Sequence, residues 1–316
     1  LEDGPLLSIV QPNIPQDIKY ISIKSERQSE QNYEKHVELT RRAAAGKPDL
    51  ILWPEAAVYK GLLWDVQRGD WAKDLWYRRV LAPAQETGVP VLVGLLVAER
   101  GADGRYATFT NSAVLVSPTE GITARFDKVH LVPFAEFVPF ARQIPLVRDL
   151  IEKFSGLRLV DMRPGTEFPL WKAGKWSYGP QICFEAIFPE ISREIARKGA
   201  SFTVNISNDG WFRDSAELDQ MQVQSRFRSI ENRISVVRAT NTGISALIDP
   251  AGRAHAVLES GGRIKEVEGV LTGRIKVTSA GSLYRTWGDW VAWLAAGAAI
   301  GEIARRIFVD RKRRSA

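Results

Sequence analysis

The 316-residue chain contains a single cysteine, Cys183, set in Gln181-Ile182-Cys183-Phe184-Glu185 directly after a strand-like run. Glu55 closes Leu50-Ile51-Leu52-Trp53-Pro54-Glu55, and Lys128 follows the run from Ile122 to Asp127. A carboxylate, an ammonium and a thiol, each at the end of a β-like segment, are the parts of covalent acyl transfer. A general base takes the thiol proton, the thiolate attacks a carbonyl, and a fixed cation steadies the oxyanion. A lone cysteine is more often a small buried hydrophobe, and Glu or Lys at a strand end is usually solvated. Three such positions in one chain, each with a distinctive neighbourhood, favour chemistry.

The elements that must position these groups follow from apolar runs and turn residues. Buried strands are expected over Leu6–Gln11, between Pro5 and Pro12, and over Asp49–Trp53, which delivers Glu55. Between them Ser25 and Gln28 form a capping-box pair opening a helix to about Ala45, stopped by Gly46 and Pro48. A second helix ends near Gly88, and strands follow over Val89–Val97, Tyr106–Ser117 and up to Asp127. Periodicity fails from Lys128 to about Phe168, where Phe and Pro are frequent; a long irregular segment in a compact domain is usually functional. A strand over Trp176–Cys183 presents the thiol. Beyond it come a helix over Pro189–Lys198, a strand over Ser201–Ser207 and a helix over Ala216–Asn232. Strands over Ile234–Thr240, Ile244–Ile248 and Lys265–Val277 complete the pattern, which is layered α/β. No fixed-period repeat or long linker divides the chain, so residues 1–282 read as one domain and 283–316 as a C-terminal appendage.

Composition, with 45% hydrophobic and 25% charged residues, is that of a globular protein. One cysteine excludes an internal disulfide, and three scattered histidines give no zinc-ligand spacing, so neither metal nor cofactor is expected. The net charge of +6 does not read as a nucleic-acid surface, because residues 302–316 alone carry +4 and the remainder only +2.

Several motifs carry a resemblance. Gln11-Pro12-Asn13-Ile14-Pro15-Gln16, Trp53-Pro54-Glu55, Lys128 through Glu136, Ile182-Cys183-Phe184-Glu185, Ser207 through Phe212, and the stretch from Arg226 through Glu231 and Arg238 to Gly243 occur in one order. In that order they resemble the nitrilase superfamily of carbon–nitrogen hydrolases and, within it, the catalytic domain of apolipoprotein N-acyltransferases. The resemblance runs from about Leu7 to Gly252 and weakly into the C-terminal helix. It implies a four-layer α-β-β-α sandwich, with Glu55 as base, Lys128 as oxyanion cation and Cys183 as nucleophile. Glu136, Glu185, Asn111 and Phe184 would support the site, and Tyr20, Trp64, Trp71, Phe137, Phe140 and Trp211 would contact substrate. Phe184 stands where the family often has Tyr, and Tyr20 where Trp is frequent. The implied partners are a phospholipid acyl donor, a diacylglyceryl-modified lipoprotein acceptor and a membrane. The family carries transmembrane helices before this domain, so a chain starting at Leu1 without an initiator Met reads as the C-terminal part of a longer membrane protein. The implied place is the inner membrane, with the catalytic domain on the periplasmic side. Two rival readings remain: a nitrilase-type amidase using water as acceptor, and a non-catalytic membrane-anchored binding domain.

At the C-terminus, Trp290–Gly301 is uncharged, but about 20 apolar residues are needed to cross a bilayer. Extension from Trp287 to Val309 brings in Asp289, Glu302, Arg305 and Arg306. Trp287, Trp290 and Trp293 at one end, Arg311-Lys312-Arg313-Arg314 at the other and the Gly297/Gly301 pair favour a spanning helix over a solvated basic tail. The aromatic clusters Tyr59–Trp76 and Phe134–Phe154 read as membrane-facing lids or as ordinary packing.

Overall fold

The computed structural model describes residues 1–19, 25–64, 75–100, 106–139 and 162–314. The first half of the chain builds one mixed sheet from β1 (Glu2–Gln11), β2 (Leu50–Leu52), β3 (Val58–Trp64), β4 (Val91–Arg100), β5 (Tyr106–Ser117) and β6 (Gly121–Asp127). A strand from the far end of the chain, β13 (Gly269–Val277), closes its edge, giving the order β13-β1-β2-β4-β5-β6, with β3 also paired to β4. The second sheet has the order β12-β11-β10-β9-β8-β7. Its strands are β7 (Trp171–Ala173), β8 (Trp176–Ile182), β9 (Phe202–Ser207), β10 (Ser235–Thr240), β11 (Ala246–Ile248) and β12 (Ala254–Val257). β1, β2 and β4 run parallel in one sheet, and β8, β9 and β10 in the other.

The two-residue alternation of strand side chains sorts the core. Leu7, Ile9, Leu50, Leu52 and Leu92 point between the sheets and meet Tyr178, Ile182, Val204, Ile206, Val237 and Leu247. Val10, Ile51, Trp53, Val91 and Val93 point the other way, onto α1 (Glu26–Ala44) and α2 (Leu75–Thr87). Ser25 caps α1 as expected, its side chain accepting from the Gln28 N–H at 3.3 Å. Outside the second sheet lie α3 (Pro189–Arg197) and α4 (Glu217–Asn232). Ile195 of α3 reaches the sheet where Gly179 has no side chain; a Cβ there would lie 2.4 Å from Ile195. The expected α-β-β-α layering is therefore present. Three strands escaped the sequence reading: β3, which lies in the aromatic stretch, and the short edge strands β7 and β12.

The C-terminal appendage differs from expectation. After α5 (Leu283–Trp287) the chain forms α6 (Trp290–Arg314), 25 residues long. At 1.5 Å per residue that is about 37 Å, long enough to cross a bilayer. Yet among the described residues no helix is both long and apolar enough to cross a membrane. Glu302, Arg305 and Arg306 interrupt the apolar run after Gly301 and pair with one another. The expected spanning helix is therefore not shown; α6 is exposed and its apolar run is interrupted by charge. Arg193 on α3 holds the base of this appendage by donating to the carbonyls of Tyr284, Arg285 and Thr286 at 3.0, 3.2 and 2.9 Å.

The chain leaves β2 at Leu52 and rejoins the same edge of β4 as β3, and Glu55 sits in the gap. The Trp53 N–H donates to the Leu92 carbonyl at 2.8 Å and the Ala57 N–H to the Gly94 carbonyl at 2.8 Å. Gly94 permits this approach: a Cβ there would lie 2.3 Å from the Pro54 carbonyl oxygen and 2.7 Å from the Glu55 Cα. Backbone cannot yield as a side chain tip can. Gly94→Ala is expected to destabilise the protein by about 1–3 kcal/mol, the scale of core overpacking, and to displace Glu55. Urea unfolding checks this; a variant with the parent midpoint would show that the loop moves away freely.

Candidate active site

Glu55, Lys128 and Cys183 come from three strand ends and meet between the two sheets. β5 and β6 set Lys128: Asn111 on β5 accepts the Lys128 N–H through its carbonyl at 2.8 Å, extending the ladder one residue past Asp127. The side chain turns inward, and Nζ donates to Glu136 Oε1 at 3.0 Å and to Glu55 Oε1 at 3.4 Å. Asn111 Nδ2 bridges the same two oxygens, at 2.6 Å to Glu55 and 2.8 Å to Glu136. The second oxygen of Glu55 accepts the Asn208 N–H from the loop after β9 at 2.8 Å, and that of Glu136 accepts the Val132 N–H at 2.8 Å. Both carboxylates are therefore held at both oxygens, and all four side chains are buried.

Cys183 follows β8 at φ +52°, in the left-handed region that a non-glycine residue rarely enters. Such a conformation costs roughly 1–3 kcal/mol and persists only where surrounding contacts impose it. The imposing contact is Glu185. Its Oε2 accepts the Ile182 N–H at 2.7 Å, and its Oε1 accepts the N–H groups of Val129 and His130 at 2.7 and 3.1 Å. One buried carboxylate thus ties the cysteine turn (Cys183–Ile187) to the segment carrying Lys128. From below, Asn205 on β9 donates to the Cys183 carbonyl at 3.1 Å. Arg238 on β10 donates in turn to Asn205 at 3.1 Å and to Asp209 at 2.5 Å, and this Arg238–Asp209 pair is fully buried.

Burial pushes the Cys183 thiol up to about 12; Glu55 and Asp209 add to the rise, while Lys128 and the Ser207 hydroxyl oppose it. For Glu55, burial favours the neutral acid, but the Lys128 charge, the Asn111 amide, the Asn208 N–H and the Cys183 thiol outweigh it and hold the carboxyl below its usual range. Burial likewise works against the Lys128 ammonium, yet Glu55, Cys183 and Glu136 raise it above the ordinary lysine value. At neutral pH the resting site is therefore thiol, carboxylate and ammonium, with the proton on sulfur. A general base beside a protonated nucleophile can take that proton as the nucleophile attacks.

Phe184 packs edge-on against Phe188 at 5.1 Å, and Phe188 lies tilted against His130 at 4.7 Å, so Phe184 belongs to the wall behind the cysteine turn. Phe137 is half-buried and its carbonyl accepts the Phe134 N–H; Trp211 is exposed, as are Phe134 and Phe212. Tyr20, Trp71 and Phe140 lie outside the described residues, and of Trp64 only the backbone, in β3, is described. The sequence reading gave no role to Lys19, Asn205, Asn208 or Asp209, nor to Arg238. Asn208 acts through its backbone and the rest through long-range contacts, which spacing does not reveal. Among the described residues no group of His, Cys, Asp and Glu is placed to hold a metal ion.

Glu185→Gln tests the tie between the two loops. A glutamine keeps one acceptor oxygen but turns an N–H₂ toward a backbone N–H that needs an acceptor. The substitution is expected to cost about 1–3 kcal/mol, the scale of a buried unsatisfied donor, and to lower the reactivity of Cys183. A Gln variant with the parent's urea midpoint and alkylation rate would show that the tie is dispensable.

Comparison with known proteins agrees with this architecture. The model of the carbon–nitrogen hydrolase family matches residues 6–285. The chain is 36% identical over 296 residues to the apolipoprotein N-acyltransferase of Geobacter metallireducens, covering 93% of this chain and 52% of that protein. It is 33% identical over 319 residues to the apolipoprotein N-acyltransferase of Bradyrhizobium diazoefficiens, covering 96% of this chain and 54% of that protein. The chain thus spans about half the length of these relatives. Among solved structures, Saccharomyces cerevisiae Nit3, of the nitrilase superfamily, superposes with a TM-score of 0.61 at 16% identity over 87% of this chain and 91% of that one. A mutant of the amidase from Nesterenkonia sp. AN1, with an acetamide moiety added covalently at its active-site cysteine, superposes with a TM-score of 0.58 at 16% identity over 86% of this chain and 90% of that one. At those identities the structural likeness concerns the fold. The family match over residues 6–285, with the architecture it implies now in view, leaves a plain conclusion: the chain belongs to the carbon–nitrogen hydrolase family.

Proposed function

We propose that the protein is an N-acyltransferase that moves an acyl chain from a phospholipid, through a thioester on Cys183, to the α-amine of a diacylglyceryl-modified cysteine on a lipoprotein. The observation that carries the chemistry is the buried cluster of Cys183, Glu55 and Lys128, with Lys128 Nζ donating to Glu55 at 3.4 Å and Glu55 held at both oxygens. The names of the relatives supply the substrate class.

In the first half-reaction Sγ of Cys183 attacks the ester carbonyl while Glu55 takes the thiol proton. A lysine ammonium has three N–H donors; Glu55 and Glu136 take two, and the third faces the carbonyl oxygen as it becomes an oxyanion. The C–O bond breaks, and the lysophospholipid alkoxide leaves with the proton from Glu55. In the second half-reaction the acceptor amine attacks the thioester and gives a proton to Glu55. The C–S bond breaks, and the leaving thiolate recovers that proton. The cycle closes with no net proton gained or lost by the enzyme.

Two features support a membrane setting; the extracytoplasmic placement of the site rests on the lipoprotein substrate class alone. Phe134, Trp211 and Phe212, on the loops carrying Glu136 and Asp209, are exposed aromatic residues, and α6 exposes Val291, Trp293, Leu294, Ile300 and Ile303. Residues 1–282 would form the catalytic unit and 283–316 its lipid-contacting appendage.

Intact-mass spectrometry after incubation with phosphatidylethanolamine in detergent should find one acyl adduct, located on Cys183 and absent in Cys183→Ser. Glu55→Gln should abolish the adduct, and Lys128→Ala should slow it by about 10²-fold, the scale of one lost oxyanion contact. Adduct formation at the parent rate in both variants would remove these roles. Once the donor is removed, the adduct should persist and discharge when an S-diacylglyceryl-cysteine peptide is added. Rapid loss to free fatty acid, with no gain from the peptide, would assign the protein to the amidase-type hydrolases instead.

A further inference from the structure

We propose that Asn205 is a positioning residue for Cys183: its amide, oriented by the buried Arg238–Asp209 pair, holds the Cys183 carbonyl and so fixes the strained turn from which the thiol attacks. The inference rests on the reading of Cys183 as the nucleophile.

The placement is built by β9. Val204 and Ile206 point between the sheets, so Asn205 and Ser207 point to the opposite face, the one that α3 and α4 cover. Asn205 stands in register with Gln181 on β8 and with Arg238 on β10. It lies between the strand that delivers the cysteine and the strand that carries the guanidinium. Asn205, Arg238 and Asp209 are each 0% exposed, so their polar atoms depend on protein partners.

The chemistry of those partners leaves Asn205 one orientation. A guanidinium only donates, and a carbonyl only accepts. Asn205 therefore turns Oδ1 to Arg238 Nη1 at 3.1 Å and Nδ2 to the Cys183 carbonyl at 3.1 Å. A flipped amide would set N–H against N–H and oxygen against oxygen. Arg238 is fixed from its other side, where Nη2 donates to Asp209 Oδ2 at 2.5 Å, and Asp209 Oδ1 accepts the Ser207 hydroxyl at 2.5 Å. Gly243 backs Asp209 so closely that a Cβ there would lie 2.1 Å from Oδ2. A run of contacts with one permitted polarity thus leads from Asp209 to the backbone of the nucleophile.

What the tie does follows from that backbone. Cys183, at φ +52°, holds a conformation that persists only where contacts impose it. Glu185 takes the Ile182 N–H ahead of the cysteine, and Asn205 takes the Cys183 carbonyl behind it, so the residue is gripped on both sides. The peptide is planar, so a fixed carbonyl also fixes the direction of the Phe184 N–H. Without Asn205 the turn keeps one grip, and the thiol shifts relative to Glu55. The loss falls on the rate of attack, not on ester binding, because the tie is to the backbone.

The probe is p-nitrophenyl butyrate, followed by nitrophenolate release and by intact-mass spectrometry of the acylated fraction. The C–S bond forms, the thiol proton goes to Glu55, and the C–O bond to nitrophenolate breaks. Asn205→Leu stays neutral and branched but neither donates nor accepts. Its acylation rate constant at saturating ester is expected to fall by about 10- to 10²-fold, the scale of a misplaced reacting group. The half-saturating ester concentration and the fraction finally acylated should keep their parent values. Where Asn205→Leu does not fold, Asn205→Ser, too short to reach both partners, carries the same expectation. A residue that only supports the fold would lower the acylated fraction while the surviving molecules reacted at the parent rate. That result, or a parent rate constant with the full fraction acylated, would overturn the proposal. Cys183→Ala separates the two levels. If it gains the butyryl group at the parent rate, the nucleophile reading fails and the proposal with it. If it gains none while Asn205→Leu reacts at the parent rate, only the role of Asn205 fails.

Discussion

Glu55, Lys128 and Glu136 are ionisable groups taken out of water, and the contacts among them are what make that burial tolerable. The penalty for each buried ion is several kcal/mol. It is recovered only with good geometry and further hydrogen bonds, and here Asn111, the Asn208 N–H and the Val132 N–H supply them to both oxygens of each carboxylate. Each partner comes from a different part of the chain: β5, the loop after β9 and the segment after β6. The ion cluster thus demands that both sheets end at one place and in register. The parallel strands β1, β2 and β4 in one sheet and β8, β9 and β10 in the other meet that demand, because their C-terminal ends open toward a common centre.

The same logic explains why Cys183 is strained. A cysteine that continued the ladder would point its side chain to the face opposite Ile182, away from the space between the sheets. At φ +52° the chain turns at Cys183 itself, leaving the residue half-buried with its thiol turned to Glu55. The Glu185 carboxylate, taking three backbone N–H groups, supplies the energy for that turn. Burial raises Glu185 to about 7, against the pull of those N–H groups and of Lys128. The turn therefore sits on a group whose charge is itself in balance. The sheet strands hold the thiol's address, and one side chain two residues on holds its direction.

Much of this was legible in the sequence, for identifiable reasons. The strands that carry Glu55, Lys128 and Cys183 are continuous apolar runs ended by a polar residue, and such runs mark strands buried on both faces. Lys128 could be placed because Asp127 ends its strand, and α1 because Ser25 caps it. β3 was not legible, because its pairing to β4 is long-range and its aromatic residues fit helix and loop equally well. The C-terminal helix was legible but its spanning is not shown: tryptophans and basic residues at the two ends act as anchors only around an apolar stretch, and Glu302, Arg305 and Arg306 break it. Lys19 gave no sequence signal of its own. A lysine in a turn is ordinarily solvated, and only the stitching of Asn13 and Ile14 to Asn241 and of Gln16 to Asn208 turns this one inward.

That stitching also bears on how a hydrolase scaffold can serve acyl transfer. Water is small and abundant, so a thioester that must await a second substrate survives only where water is excluded. Exclusion by burial alone would strip the charge from the base, since desolvation drives a carboxyl toward its neutral form. A dry site that still needs an ionised base must therefore import cations along with its walls. Lys128 is one, matched to Glu55 and Glu136 together. The turn 16–19 rests on the loop after β9 through Gln16 and Asn208, and the Asn208 N–H holds Glu55. Burying the Glu55 carboxylate and keeping it ionised are thus coupled through Lys128, which a looser, wetter site would not require.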